Sequence, residues 1–569
     1  MRPPEDFELE ALIDNEEADD LLSAPDAPLS MPASPDFGAH HHHQQPKWLT
    51  QSRHRSWIRS FPSKIIARVW PFLRPRLTWR YILSSLVTLY ILFCFITRQP
   101  LLASNLPGYT GTYGVGAVDV EVPLPGGTKR ISEAAFKSSG DAAFEVETVL
   151  VSIYYPTSRE YRSPKPRYYW IPKPVSLTAA GYAKLAHVDN FIMRPIFTLF
   201  LWAVGGGITI PAEVDAPLLS ADEIIVPITP SLKDRGDAPH NTTFPITVFS
   251  HGMASSRTDY TNFLGELASR GHIIAAVEHR DGSCPGSLVK LDPKDPGRRV
   301  LPLRQSDLSE PMDTPDLKRT QLAFRDAEIL GAVHLLRSIN AGDPIPNSRA
   351  ALTTLPSWAG RLNLDLLTIA GHSYGATGAL QALTTVAGPK SSSSSSSSSG
   401  DEDTLPASAG IILDPGKGSG PLNHNTTQPL LVIHSNSWSR PSSALFHGRP
   451  HFDTVRDLVA NSPSPSWFLT AIGTSHPSVT DAPLLEPLLL SWTTGAGLDV
   501  RGALAEYVAA AADFLAFVPT GSVREGSVLA QAASHREYDK WVSKERKEEF
   551  PKAMAKLWEV HVSPETKQG

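Results

Sequence analysis

The feature that most constrains this chain is Gly371-His-Ser373-Tyr-Gly375, set between an apolar run at Leu364 to Ala370 and an Ala/Gly/Leu-rich stretch. A strand that passes at once into a helix must turn within a few residues. Only small side chains on either side of the turn leave room for it, and the serine at its apex is held in a strained conformation with its hydroxyl lifted clear. The five-residue pattern alone is weak. Its place between a strand and a helix gives it force.

A serine hydroxyl is a poor nucleophile at neutral pH and needs a general base, commonly an imidazole oriented by a carboxylate. Chains with this turn supply them in the order serine, acid, histidine. Asp414 ends the apolar run Gly410 to Leu413, and His476 lies in Gly473-Thr-Ser-His476-Pro after the run Ser466 to Ile472. Both have the expected order and position, and Ser373, Asp414 and His476 are the candidate triad. Asp453 and Asp481 are rival acids. Asp453 follows no clear strand, and Asp481 comes after the histidine. A tetrahedral intermediate also needs backbone N–H donors. The candidates are Tyr374, next to the nucleophile, and Met253 in Ser250-His-Gly-Met253. This chemistry calls for neither a metal nor an organic cofactor.

Further short apolar runs at Thr148 to Tyr155, Pro245 to Phe249, His272 to Val277 and Pro429 to His434 read as strands. Helical spacing appears at Asp259 to Arg270, Leu317 to Asn340 and Ala503 to Phe517. Alternation of this kind predicts an α/β-hydrolase fold, a mostly parallel sheet with helices on both faces, over 108–517. A Ser-rich insertion at 388–405 carries the unbroken run Ser391 to Ser399. The charged segment 518–569 reads as an extension, with a surface helix expected over Glu537 to Val562.

Tyr81 to Thr97 has no charge, enough for one transmembrane helix. The preceding segment, 47–80, carries Arg53, Arg55, Arg59, Lys64, Arg68, Arg74, Arg76 and Arg80; after Arg98 no basic residue occurs until Lys129. The positive-inside rule then places the N-terminus in the cytosol and the catalytic region in a lumen or outside the cell, within the secretory pathway or a vacuole or endosome. The tail 1–46 is acidic, then Pro-rich, and Glu17-Ala-Asp-Asp-Leu21-Leu22 resembles an acidic dileucine sorting signal. Sequons at Asn241 and Asn425 agree with a lumenal domain. The stretch 191–212 is apolar enough to suggest a second span. Gly205 to Gly207 and Pro211 favour instead a flap over the site, at the lipid surface. A net charge of −6 argues against a nucleic-acid surface. Two cysteines, Cys94 and Cys284, one inside the apolar segment, leave no disulfide within the folded domain.

Phe249-Ser-His-Gly-Met253, Arg257-Thr, Ala276-Val-Glu-His-Arg-Asp281, Gly371-His-Ser-Tyr-Gly375, Leu413-Asp and a Gly-x-x-His loop together resemble the plasma/type II platelet-activating-factor acetylhydrolases. Val151-Ser-Ile-Tyr-Tyr-Pro156 is similar to that family's early strand, and the similarity runs from about Gly108 to Phe517. The resemblance implies a calcium-independent, phospholipase A2-like esterase releasing short or oxidised sn-2 acyl groups, with phospholipid and a membrane surface as its partners and no protein partner required. It also implies Ser373, Asp414 and His476 as the triad. Ala376 stands where the family has a further glycine, and Pro415 follows the acid where it often has Ala-Trp. Two other readings stay open: an esterase for other substrates with the same triad, and a non-enzymatic membrane protein on a hydrolase scaffold.

Overall fold

The computed structural model describes residues 78–97, 99–224, 243–386, 407–440, 445–446, 448–486 and 496–565. Asn241, the tail 1–46 with its dileucine pattern, nearly all of the basic segment 47–80 and the Ser-rich run lie outside them. Two units are separate: one holds the first helix, α1 (Trp79–Thr97), and the other begins at Gln99. Nineteen residues give α1 a length of about 28 Å, close to a bilayer's hydrocarbon thickness. Leu83, Leu86, Leu89, Phe93, Phe95 and Ile96 stand exposed along it.

The second unit is built on one ten-stranded sheet. In chain order its strands are β1 (Gly114–Pro123), β2 (Thr148–Thr157), β3 (Glu213–Val214), β4 (Phe244–Ser250), β5 (Ile273–Val277), β6 (Leu362–His372), β7 (Ala409–Leu413), β8 (Leu430–Ser435), β9 (Trp467–Ala471) and β10 (Trp558–Val562). Their spatial order is β10-β9-β8-β7-β6-β4-β5-β2-β1-β3. From β5 through β9 every neighbouring pair is parallel, while β2 and β10 join the two sides of that block antiparallel. This is the α/β-hydrolase arrangement that the strand spacing predicts.

The strands are apolar on both sides because both faces are covered. Val248, Ile369, Ile412 and Val432 point to one core, against Ile329, Val333 and Leu336 of α5 (Thr314–Ala341) and Ala379, Leu380 and Leu383 of α6 (Tyr374–Val386). Their chain neighbours Phe249, Ala370, Ile411 and Ile433 point to the other, against Phe263, Leu264 and Leu267 of α4 (Thr261–Ala268) and Leu504, Tyr507 and Phe514 of α8 (Val500–Thr520). The helix α8 is apolar enough to span a membrane, but it packs into this core. Asp313 caps the start of α5, and Gly342, at φ +80°, ends it.

One segment differs from the sequence expectations. Glu537 to Val562 is not a surface helix. It holds part of a small hairpin, a six-residue helix at Lys544–Glu549 and then β10, whose five residues are all buried. The alternation in Trp558-Glu-Val-His-Val562 has the period of a strand, and charge count alone hid it. The sheet thus takes its last strand from beyond 517. The apolar stretch after Phe191 forms α3 (Met193–Gly205), which follows α2 (Val175–Leu185). Thirteen residues rise only about 20 Å, short of the roughly 30 Å that a span needs.

Candidate active site

The site lies at the C-terminal ends of β4, β6, β7 and β9, where the strand order reverses between β4 and β6 and a crevice forms. Ser373 joins β6 to α6 at φ +56°, a left-handed conformation that a side chain adopts at a cost of about 1 kcal/mol or more. Its N–H donates to the Leu413 carbonyl at 2.9 Å, and its own carbonyl accepts the N–H groups of Ala376 and Gly416. The surrounding backbone therefore over-determines the strained turn.

The two flanking glycines are required by contact. A Cβ on Gly371 would sit 2.2 Å from the Gly375 carbonyl oxygen, and one on Gly375 would sit 2.1 Å from that of Ser250. Both obstacles are backbone and cannot swing aside. Gly375→Ala is therefore expected to destabilise the fold by at least about 2–3 kcal/mol, read as a lower denaturant midpoint. Ala376, one residue further on, is packed in the core with no exposed surface.

Asp414 follows β7 at φ +45° and is buried. Its Oδ1 accepts the Ser435 N–H at 2.5 Å, and its Oδ2 faces His476 Nδ1 at 2.9 Å. Burial pushes its carboxyl up to about 6, against the lowering effect of the Ser435 N–H. His476 opens a short 3₁₀ turn after β9, and its N–H donates to Ser437 Oγ at 3.0 Å. The rival acids are engaged elsewhere. Asp481 accepts from Thr261 N–H, Thr261 Oγ1, Asn262 N–H and Trp170 Nε1, which fixes it to the start of α4. Asp453 pairs with Arg456 at 3.0 Å on α7 (His451–Ala460).

The loop after β4 comes against Ser373. A Cβ on Gly252 would stand 3.0 Å from Ser373 Cβ. The Gly252 N–H is taken by Tyr260 Oη at 3.1 Å. No hydrogen bond engages the next N–H, that of Met253, among the described residues. Tyr374 opens α6, and its N–H has no carbonyl behind it in the helix.

One residue that sequence reasoning passed over joins these parts. His372 Nε2–H donates to the His476 carbonyl at 3.1 Å, and its Nδ1 accepts from Tyr260 Oη at 2.9 Å. Tyr260 thereby links the Gly252 loop to the His476 loop through one neutral imidazole, which burial holds down to about 3. His372, Asp414 and His476 bring three ligand atoms within 4.8 Å of one another. Both His372 ring nitrogens, His476 Nδ1 and both Asp414 oxygens are already committed to the hydrogen bonds just described.

The sequence matches the family described as platelet-activating factor acetylhydrolase, isoform II, over residues 102–544. The chain belongs to that family. Among similar proteins are the platelet-activating factor acetylhydrolases of Canis lupus familiaris, 25% identical over 49% of this chain and 52% of that one, and of Bos taurus, 26% identical over the same shares. A putative phospholipase A2 of Schizosaccharomyces pombe is 36% identical over 24% of this chain and 34% of its own. The chain spans about half the length of the acetylhydrolases it matches. Among solved structures, a ferulic acid esterase from Streptomyces cinnamoneus aligns over 74% of this chain and 94% of its own, at 17% identity and a TM-score of 0.44.

In this member of the isoform II family the stretch Glu278-His-Arg-Asp281 serves as scaffold. Glu278 pairs with Arg257 at 3.0 Å, and Arg257 with Asp119 of β1 at 2.8 Å. His279 bridges Glu328 of α5 and Ser250 Oγ. Arg280 pairs with Glu121 at 2.7 Å. Asp281 holds Arg325, whose Nη1 donates to the His251 carbonyl at 2.7 Å. Four successive polar residues behind an apolar strand were the visible signal; their partners lie far off in sequence. Cys284 is buried, and burial raises its thiol well above its ordinary range, so it is an inert packed thiol.

Burial also holds several histidines down: His251, His272, His451 and His535 to about 4, and His372 and His561 to about 3. Unfolded, each would titrate near 6.5. As pH falls through 6.5 toward 4, the unfolded chain takes up these protons and the folded one does not, so stability is lost. Asp259 and Glu559, raised by burial to about 7, and Asp414 and Asp481, raised to about 6, act in the opposite sense and offset part of the loss. A lower denaturant midpoint at about pH 4.5 than at about pH 7 is expected; an equal or higher one would contradict these assignments.

Proposed function

We propose that the protein is a serine esterase that hydrolyses the sn-2 acyl ester of phospholipids through an acyl-enzyme. The observation that carries this is the Asp414–His476 pair at 2.9 Å beside a left-handed Ser373 at the end of β6. Ser373 Oγ attacks the ester carbonyl while His476 takes its proton and Asp414 orients the imidazole. The Met253 and Tyr374 N–H groups hold the oxyanion. His476 then returns the proton to the departing alcohol, and water repeats the cycle on the acyl-enzyme. The names of the relatives, platelet-activating factor acetylhydrolases and a putative phospholipase A2, support a phospholipid ester over other esters.

The surface of the catalytic unit supports a lipid partner. Phe191, Ile192, Ile196, Leu199, Phe200 and Trp202 are exposed on and beside α3, an apolar patch that fits a lipid interface. With α1 as the anchor and the basic flank cytosolic, the catalytic unit faces a lumen or the cell exterior. Asn425 is exposed in its sequon and would carry glycan there; a mobility shift on endoglycosidase treatment that Asn425→Gln diminishes tests this topology.

A competition assay tests the substrate. A 2-acetyl phospholipid should suppress turnover of a p-nitrophenyl ester, with products from both lost in Ser373→Ala. Turnover of the simple ester with no effect of the phospholipid would favour an esterase for other substrates.

A further inference from the structure

One short turn touches both the acid and the base of the site. It runs from Ser435, the last residue of β8, through the four-residue helix Asn436–Ser439. The Ser435 N–H donates to Asp414 Oδ1 at 2.5 Å, and Ser437 Oγ accepts the His476 N–H at 3.0 Å. The turn is tied to the His476 loop a second time, because the Asn436 N–H donates to Thr474 Oγ1 and the Ser437 N–H to the Thr474 carbonyl.

Trp438 is the side chain that this turn presents. Its ring lies parallel to the His476 imidazole, with centroids 3.9 Å apart and an interplanar angle of 13°. It is 1% exposed, and its Nε1–H donates to the Pro415 carbonyl, next to the acid, at 2.9 Å. The Ser435 hydroxyl caps the turn by accepting the Trp438 N–H at 3.3 Å. Backbone, cap and indole N–H therefore all fix the ring that faces the base.

We propose that Trp438 is a positioning residue for His476: its indole face sets the plane of the imidazole and favours the imidazolium formed when Ser373 gives up its proton. An aromatic face attracts a cation, and the attraction strengthens where water is excluded. A neutral imidazole gains less from the same contact, so the stabilisation falls on the transition state. The other groups around His476 are Asp414 at 2.9 Å, the His372 ring at 4.5 Å, His434 on β8 and Lys417, whose ammonium lies 4.3 Å from the Trp438 ring. Asp414 favours the imidazolium, Lys417 competes with it for the indole, and His372 and His434 are held neutral by burial. The role rests on His476 being the base of the proposed esterase.

The test uses the full-length chain and the rate at which a fluorophosphonate labels Ser373, followed from about pH 4 to 9, since labelling needs unprotonated His476. Trp438→Leu keeps the pocket apolar but removes the π face. Its plateau rate should fall on the order of tenfold, and its acid limb should move to lower pH by about half to one unit. Trp438→Phe keeps a π face and should stay within about threefold of the parent, with its acid limb nearly unmoved. The fraction of molecules labelled at the endpoint should be unchanged in both. An acid limb in Trp438→Leu identical to the parent's, or a fall in the endpoint alone, would overturn the positioning role while the esterase reading stands. A parent chain that neither labels nor hydrolyses ester would remove both.

Discussion

Ser373→Ala is expected to cut ester hydrolysis by on the order of 10⁵–10⁶-fold, with stability changed by no more than about 0.5 kcal/mol. The size follows from the covalent role. Without Oγ there is no acyl-enzyme, and only oxyanion stabilisation and binding remain for direct attack by water. The fold should survive because the turn is held by backbone groups: the Ser373 N–H on Leu413 and the Ser373 carbonyl on Ala376 and Gly416. Alanine keeps all three. Hydrolysis of a short-chain phospholipid analogue, measured beside a denaturation curve, checks both halves. Retention of more than about a hundredth of the activity would remove Ser373 from the nucleophile's place.

Asp414→Asn should be nearly as damaging, at about 10⁴-fold in kcat with KM little changed. The carboxylate accepts on both oxygens, from Ser435 N–H and from His476 Nδ1–H. An amide can accept on one. If its oxygen keeps the Ser435 bond, its NH₂ faces Nδ1 and selects the tautomer with the proton on Nε2, which has no lone pair there to receive the serine proton. Steady-state kinetics in the two chains give the ratio. A loss below about tenfold would mean that another carboxylate orients the imidazole, and the occupied positions of Asp453 and Asp481 leave neither free for it.

Much of this arrangement was legible in the chain. Apolar runs of four to eight residues marked the parallel strands because both faces of the sheet are covered, and the two glycines around Ser373 marked the turn because a Cβ on Gly371 or Gly375 would strike backbone. The order of serine, acid and histidine singled out Asp414 and His476, which the fold brings to 2.9 Å of each other. What was not legible has a common cause, contact between residues far apart in sequence. Trp438 lies in a stretch with no motif and meets His476 only because β8 and β9 are neighbours in the sheet. Tyr260 reaches His372 across 112 positions. The last strand, β10, escaped notice because its alternation follows a charged segment, and composition over a long window outweighed a five-residue period.

Mass spectrometry of the Ser373 peptide, after acid quenching of the full-length enzyme during turnover of a 2-acetyl phospholipid, tests the central claim most directly. The account predicts an acetyl group on Ser373 that builds up with substrate and disappears as substrate is exhausted. Turnover with no acetyl group on that peptide, or with the group on a different residue, would contradict it.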